Sequence, residues 1–314
     1  MDIIPSYDIE EINLYDYNLE IRKIILSNFK NYTKLKIFHC CYCNLTELPD
    51  LPNLPNTLTS LYCNNNNLTE LPDLPNSLEF LDCSANKLLK LPDLPNSLIS
   101  LECSSNKLTY LPNLPNSLKY LECRKNYLTK LPNLPNLLEE LDCKLNKLTK
   151  LPNLPNSLTE LYCENNNLTE LPYLPNLLKG LDCSNNYLTE LPDLPNLLTE
   201  LYCDNNKLTE LPDLPNSLTR LICGNNNLTE LPDLPNSLID LDCYNNNLTY
   251  FNLKIKTINE TNSKNRIIKR MKLLNRTLLL EHSAIITMNP KRIERLLDNQ
   301  EIDFFDGSFD TLTN

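Results

Sequence analysis

Thirteen cysteines are the first residues of this 314-residue chain whose chemistry needs an explanation. Ten of them recur at every twentieth position, at Cys63, Cys83, Cys103, Cys123, Cys143, Cys163, Cys183, Cys203, Cys223 and Cys243. Stacked repeats would align these thiols about 4.8 Å apart, as in a metal or disulfide array. However, in-register parallel strands point neighbouring Cβ atoms the same way, which suits a disulfide poorly. We therefore predict a buried column in which cysteine packs as a small apolar residue.

A metal-like cluster precedes this column at His39, Cys40, Cys41 and Cys43. Its spacing matches no standard zinc motif, and Cys40 and Cys43 fall on positions that the repeat explains. We expect no metal site there. We also expect no cofactor, because 3 scattered glycines cannot form a phosphate-binding loop and 2 histidines leave little scope for histidine-based catalysis.

Carboxylates and tyrosines form a second set, at positions that alternate with buried leucine and cysteine. Alternation in a strand places Leu81 and Cys83 on one face and Phe80, Asp82 and Ser84 on the other. The residues that we predict to bind a partner on that second face are Tyr62, Phe80, Asp82, Glu102, Tyr120, Glu122, Glu140, Asp142, Glu160, Tyr162, Asp182, Glu200, Tyr202, Asp240, Asp242 and Tyr244.

This acidic pattern has several explanations. Carboxylates about 5 Å apart suggest a retaining glycosidase, but an open face without a pocket argues against one. Like charges on adjacent strands cost stability, which favours a surface for a basic partner with tyrosines as anchors. The alternative is a solvated acidic face that gene duplication copied into every unit. We favour partner binding, because variation concentrates at these positions while the framework stays fixed.

The elements that position these residues are repeats of one twenty-position unit, continuous from Leu58 to Tyr250 after a first unit at Leu35. Their template is L-x-x-L-x-C-x-x-N-x-L-x-x-L-P-x-L-P-N-x, and we count eleven units. The prolines favour turn or polyproline-like geometry on the return path. Asparagine replaces glycine in left-handed turns. The repeated asparagine, such as Asn66, is predicted to bond the loop backbone of its own and the next unit.

The strand and loop half, L-x-x-L-x-[LC]-x-x-[NC]-x-L, resembles the leucine-rich repeat family. The second half, L-P-x-L-P-x, is similar to the short 20-residue subclass of bacterial effectors and to repeat proteins of large DNA viruses. The resemblance covers about two thirds of the chain. It implies a leucine-rich-repeat solenoid of the α/β class, mainly β: a curved, right-handed horseshoe with a parallel sheet on its concave face.

Some effectors of this subclass are ubiquitin ligases with a separate helical catalytic domain and a nucleophilic cysteine. The sequence that follows Tyr250 contains no cysteine, so the resemblance does not extend to catalysis. An adaptor role in ubiquitination stays open.

Helical caps are expected at both ends of the solenoid. Between Asn18 and Tyr32, residues Ile21, Ile25 and Phe29 share one helical face. The expected domains are an N-terminal helical cap (1–34), the solenoid (35–250), and a basic helical C-terminal cap with an acidic tail (251–314).

A basic segment lies in the last of these parts. Residues 254–295 hold 11 Lys and Arg against 3 acidic residues, whereas the whole chain has a net charge of −11. We interpret the segment as the solvated face of a capping helix. It is also the part of the chain that could contact nucleic acid, an anionic membrane or an acidic protein.

The sequence thus predicts a non-catalytic, monomeric scaffold that binds a basic protein partner on its concave face, with no small-molecule substrate. Repeat expansion without a specific ligand is the other alternative. The N-terminus lacks the basic and apolar regions of a signal peptide, and no stretch approaches 18 apolar residues. With an odd number of cysteines, this favours a reducing, cytoplasmic setting, in a host cell if the protein is an effector or viral.

Overall fold

The computed structural model describes residues 4–48 and 57–248. Twelve three-residue strands form one sheet in chain order, and every neighbouring pair is parallel. The strands are β1 Glu11–Asn13, β2 Ile37–His39, β3 Ser60–Tyr62, β4 Phe80–Asp82, β5 Ser100–Glu102, β6 Tyr120–Glu122, β7 Glu140–Asp142, β8 Glu160–Tyr162, β9 Gly180–Asp182, β10 Glu200–Tyr202, β11 Arg220–Ile222 and β12 Asp240–Asp242. The predicted parallel-sheet solenoid is confirmed. The predicted C-terminal cap (251–314), with its basic segment (254–295), lies outside the described residues.

Strands β2 to β12 lie at the strand positions of the eleven predicted units. The register pairs equivalent residues of successive units, so that Leu101 of β5 lies between Leu81 and Leu121. A unit this short leaves no room for a crossover helix, and the return segments of the described units are irregular. Each ends in a tight turn, in which the Leu98 N–H, for example, donates to the Pro95 carbonyl at 3.1 Å.

The core consists of columns of leucine and cysteine that run through all the units. Leu101 of β5 and Cys103, which directly follows that strand, are both fully buried. Burial of one leucine contributes about 1.5–3 kcal/mol, which is too little for a single unit to repay the entropy of ordering its backbone. Stacking on both neighbours therefore stabilises each unit, as in other solenoids.

A helix, α1, spans Leu19–Ser27 in the predicted N-terminal cap, and the Asn18 side chain accepts the Ile21 N–H at its start. The helix is shorter than the predicted segment, which extended to Tyr32. At its end, the Asn28 side chain and the Asn28 backbone N–H both donate to the Ile24 carbonyl, at 2.9 Å and 3.1 Å. Among the described residues, no helix has the length and apolarity needed to span a membrane.

Two features tie this N-terminal segment to the repeats. Strand β1 pairs with β2 and extends the sheet beyond the first unit. Phe29, in the short 3-10 turn after α1, packs its ring 4.5 Å from the Phe38 ring of β2. Strand β1 is not predicted from the sequence, because Glu11–Asn13 carries none of the repeat template.

The repeated asparagine lies in the loop after each strand from β3 to β12, where it is buried or half-buried, and links units into a ladder. The Asn106 amide donates to the Cys103 carbonyl of its own unit at 3.2 Å and to the Cys83 carbonyl of the preceding unit at 3.0 Å. Its oxygen accepts the Leu88 N–H, also of the preceding unit, at 3.0 Å. The prediction of bonds to the next unit was therefore wrong in direction. In each step of the ladder, an N–H of the preceding unit donates to the asparagine oxygen of the unit that stacks on it, as Leu88 donates to Asn106.

The residue before each ladder asparagine is in the left-handed region, with φ between 51° and 57° in the ten units from β3 to β12. Six of these ten residues are asparagine, which tolerates this conformation. The other four are Ala85, Ser105, Lys125 and Leu145. The expectation that asparagine takes over the turns therefore holds in only part of the solenoid.

Replacing Leu145 by asparagine should raise the free energy of unfolding by about 1 kcal/mol, because a left-handed leucine costs about 1–2 kcal/mol. Leu145 has φ 55° and is half exposed, so the change removes little packing. Urea unfolding followed by circular dichroism measures the effect. Leu137→Asn is the control, since Leu137 is 52% exposed, close to the 47% of Leu145, and has no positive φ. Equal stability changes in the two variants would contradict the strain argument.

Candidate functional site

The outer sheet face comprises the first and third residues of β2 to β12 and the residue two positions after each strand, as in Phe80, Asp82 and Ser84. All sixteen predicted binding residues occupy these positions. Most are half-buried or exposed, while the leucines and cysteines between them are buried. Asp142 and Asp240 differ, because they are only 5% and 9% exposed.

Three carboxylates lie side by side near one end of this face. Asp82, Glu102 and Glu122 pair in register on β4, β5 and β6, and we call them the acidic cluster. In the described part of the chain, no cationic group lies within 4.0 Å of them. Desolvation, followed by repulsion from Asp82 and Glu122, raises the pKa of Glu102 to about 7, although Arg124 opposes the shift.

This raised pKa predicts the pH dependence of stability. The pKa of Glu102 is about 7 in the folded protein, against 4.5 ordinarily, so the folded state holds its proton more tightly. Glu102 therefore lowers the free energy of unfolding progressively as the pH rises from about 4.5 to 7. We expect Glu102→Gln to be more stable than wild type by about 1 kcal/mol at pH 8, after allowance for solvent screening, and to show no gain at pH 4.

Denaturant unfolding at both pH values tests this result. Glu139→Gln is the control, because the Lys119 ammonium, 2.8 Å away, lowers the pKa of Glu139 instead. Glu139 therefore stabilises the fold above its ordinary pKa, and the control should gain nothing at pH 8. A gain for Glu102→Gln that is the same at both pH values would contradict the assignment to ionisation.

Ion pairs occupy the middle of the face. The Lys144 ammonium lies 3.5 Å from Asp142 and 3.4 Å from Glu164, and Arg124 lies 3.8 Å from Asp142. Lys144 also lies 5.4 Å from the centre of the Tyr162 ring. Asp142, one of the residues predicted to bind a partner, already pairs with both of these cations within the chain. The missed signal was the presence of opposite charges on the same strand and at equivalent positions of adjacent units, which stacking brings together.

A glycine makes room on the face at β9. A Cβ atom at Gly180 would overlap the Glu160 carboxylate, which lies over that position and accepts the Tyr162 hydroxyl at 3.4 Å. Neighbouring Glu140 and Glu160 both have a raised pKa, mainly through desolvation. The acidic character of the face therefore continues beyond the ion pairs.

Arg220 organises the region around β11. It donates to the Tyr202 hydroxyl at 2.7 Å, which in turn donates to Glu200 at 3.2 Å. Its guanidinium also lies 3.4 Å from Asp240. Asp240, like Asp142, therefore neutralises a cation of the protein. Arg220 is not among the binding residues predicted from the sequence, although it is the first residue of β11 and therefore lies on the outer sheet face.

The histidine and cysteine cluster at β2 has a packing role. The His39 ring stacks on Tyr62 with centroids 4.6 Å apart, and Cys40 and Cys43 are buried. The Cys41 thiol donates to the Asn64 side chain at 2.6 Å. Across residues 4–48 and 57–248, no three His, Cys, Asp or Glu side chains are grouped to hold a metal ion.

Comparison with known proteins gave no match among protein-family models and none among curated proteins. Among solved structures, the chain is similar to YopM from Yersinia enterocolitica, with 36% identity over 69% of this chain and 56% of that one, and a TM-score of 0.57. The chain thus spans little more than half of that YopM chain.

Two more distant structures share the fold alone. The leucine-rich repeat domain of APL1B is 23% identical over 73% of this chain and 80% of that one, with a TM-score of 0.60. A chain of the octameric complex of latrophilin 3, Unc5D and FLRT2 (LRR) is 23% identical over 67% and 74%, with a TM-score of 0.56. Together with the repeated template and the parallel solenoid that it builds, these similarities show that the chain belongs to the leucine-rich repeat proteins.

Proposed function

We propose that the outer sheet face binds a basic segment of a partner protein. The observation that carries the proposal is the acidic cluster, in which Asp82, Glu102 and Glu122 adjoin without a cation within ion-pair distance in the described residues. Its repulsion costs stability, and a cationic partner would relieve that cost. Elsewhere on the face the protein supplies its own cations, at Arg124, Lys144 and Arg220.

The role is that of a scaffold rather than a catalyst. Burial raises the pKa of the column thiols well above the ordinary value, as at Cys123, which suppresses the thiolate that a nucleophile requires. The carboxylates lie along an exposed sheet instead of converging in a pocket. Association with a basic partner should therefore be fast at low salt and weaken as salt screens the charges.

The test is a triple variant, Asp82→Asn, Glu102→Gln and Glu122→Gln. Asp142 is left intact, because without its carboxylate the cations Arg124 and Lys144 would lie close together without a shared counter-charge. We expect at least a tenfold loss of captured basic partners in a quantitative pull-down, because the variant lacks the unpaired charges.

The matched control is Glu170→Gln, Glu190→Gln and Glu210→Gln, which removes the same charge from exposed loop positions outside the face. It should capture the same proteins as wild type. Identical partner lists for the test variant and wild type would refute the proposal and favour repeat expansion without a ligand.

A further inference from the structure

We propose that the acidic cluster forms one side of a notch that binds an arginine side chain of the partner. The inference rests on the proposed function and names the chemistry that the face recognises. The Ser100 notch is defined by the rings of Phe80 and Tyr120, by Ser100 between them, and by the carboxylates of the acidic cluster alongside.

The strand register sets the width of the notch. Phe80, Ser100 and Tyr120 pair in register on β4, β5 and β6, so the two ring-bearing strands are about 9.6 Å apart. A cation above Ser100 would lie one strand spacing, about 4.8 Å, to the side of each ring-bearing strand. A cation–π contact reaches about 6 Å from the centre of a ring, so a ring that leans over Ser100 from either side could make one. Both rings are open to such a contact, with Phe80 38% and Tyr120 39% exposed.

The protein uses the same contact elsewhere between neighbouring units. The Lys147 ammonium lies 5.1 Å from the centre of the Tyr127 ring, and the Lys207 ammonium lies 5.1 Å from that of Tyr187. In both pairs the residues occupy equivalent positions of adjacent units, which are one strand spacing apart. At the notch, the residue one unit from each ring is a serine instead of a lysine, so a cation from outside would have a ring on either side.

The polar side of the notch is incomplete in the isolated chain. Ser104 follows Glu102 by two positions on the outer sheet face, is 4% exposed, and its hydroxyl has no hydrogen-bond partner. In the equivalent position of β9, the Ser184 hydroxyl donates to Asp182. An unsatisfied hydroxyl thus lies two positions from Glu102 on the same face, and the carboxylates of the acidic cluster have no cation within ion-pair distance in the described residues.

Arginine fits these groups better than lysine. A guanidinium is planar, so its faces stack on rings while its N–H edge bonds carboxylates, whereas an ammonium acts as a point charge. The notch is also preorganised on one side. The Tyr120 hydroxyl donates to Glu139 at 3.3 Å, and Lys119 holds that carboxylate at 2.8 Å.

The experiment measures binding of a fluorescein-labelled peptide of alternating glycine and arginine, with four arginines, to the full chain by fluorescence anisotropy. Ser100→Leu fills the notch and Tyr120→Leu removes one ring, while both keep every charge. We expect each change to weaken binding at least tenfold. Tyr110→Leu is the control, because Tyr110 is 48% exposed but lies outside the outer sheet face, and it should bind as wild type does.

The outcomes separate the notch from the proposed function. If the acidic-cluster triple variant loses the peptide while Ser100→Leu and Tyr120→Leu both keep wild-type affinity, the notch is refuted and the acidic face stands. If none of these variants loses affinity, both proposals fail. A lysine version of the peptide that binds as tightly as the arginine version would overturn the choice of arginine. Circular dichroism confirms that each variant is folded, and Tyr120→Leu keeps the test decisive if Ser100→Leu does not fold.

Discussion

Replacing Asn126 by alanine is expected to lower the free energy of unfolding by about 3 kcal/mol. Asn126 is 6% exposed, and its amide donates to the carbonyls of Cys103 and Cys123, each at 3.1 Å. Its oxygen accepts the N–H of fully buried Leu108 at 3.0 Å. The two carbonyls retain the amides of the neighbouring ladder asparagines, whereas the Leu108 N–H would lose its acceptor. That orphaned donor and the space left by the amide account for the loss.

Asn126→Asp sharpens the result. An aspartate keeps an acceptor for Leu108 but has no donors, so it directs a buried carboxylate at the carbonyls of Cys103 and Cys123. We therefore expect the aspartate variant to be less stable than the alanine variant at pH 7. If the side chain merely filled space, aspartate would be the milder change.

Guanidinium unfolding followed by circular dichroism gives the free energies. The control is Asn113→Ala, at an exposed asparagine of a return segment, which should stay within about 0.5 kcal/mol of wild type. An alanine variant of Asn126 as stable as this control would contradict the ladder as a stabilising device.

The orientation of the side chains could be predicted from the sequence because it depends on one local rule. Alternation along a strand places Leu101 and Cys103 together on one face, and only that face is apolar enough to be the core. Ten copies of the pattern in register leave no alternative alignment, because a slip of one residue would expose every leucine.

The ion pairs of the face and strand β1 could not be predicted in the same way, because they depend on residues of neighbouring units. Whether a carboxylate is free or paired is decided one or two strands away: Asp142 meets Arg124 and Lys144, whereas Glu102 meets only acids within ion-pair reach. Likewise, Phe80, Ser100 and Tyr120 form the proposed notch only together, because each comes from a different unit. Strand β1 could not be predicted, because its sequence lacks the repeat template and it forms a strand only by pairing with β2.

The acidic cluster and the framework beneath it have separate energetic roles. The framework of leucine, cysteine and asparagine varies little and stabilises the stack. The unpaired carboxylates of the outer sheet face repel one another and lower the free energy of unfolding. The same division predicts that variants of Glu102 and variants of Asn126 change stability in opposite directions. Only the Glu102 variants should change the affinity for a basic peptide.

The cysteine column should be protected from thiol reagents by at least about 10³-fold relative to the unfolded chain, because a reagent must wait for the units to separate. Cys123 is fully buried, and burial raises the pKa of its thiol well above the ordinary value, so almost no thiolate is present while the units are closed. Cys41 is half-buried and should react first. Mass spectrometry after labelling with N-ethylmaleimide at pH 7, with and without guanidinium, gives the rate at each cysteine.

Labelling of the Asn126→Ala variant shows which units open when one step of the ladder is removed. Because each unit contacts only its neighbours, Asn126→Ala should speed labelling most at Cys103 and Cys123, with a smaller effect at distant Cys203. Asn113→Ala should leave all three rates unchanged. If most of the 13 thiols of the native wild type react as fast as in guanidinium, the column is open and the packing explanation of the cysteines fails. Equal acceleration at all column cysteines in Asn126→Ala would instead mean that the solenoid opens only as a whole.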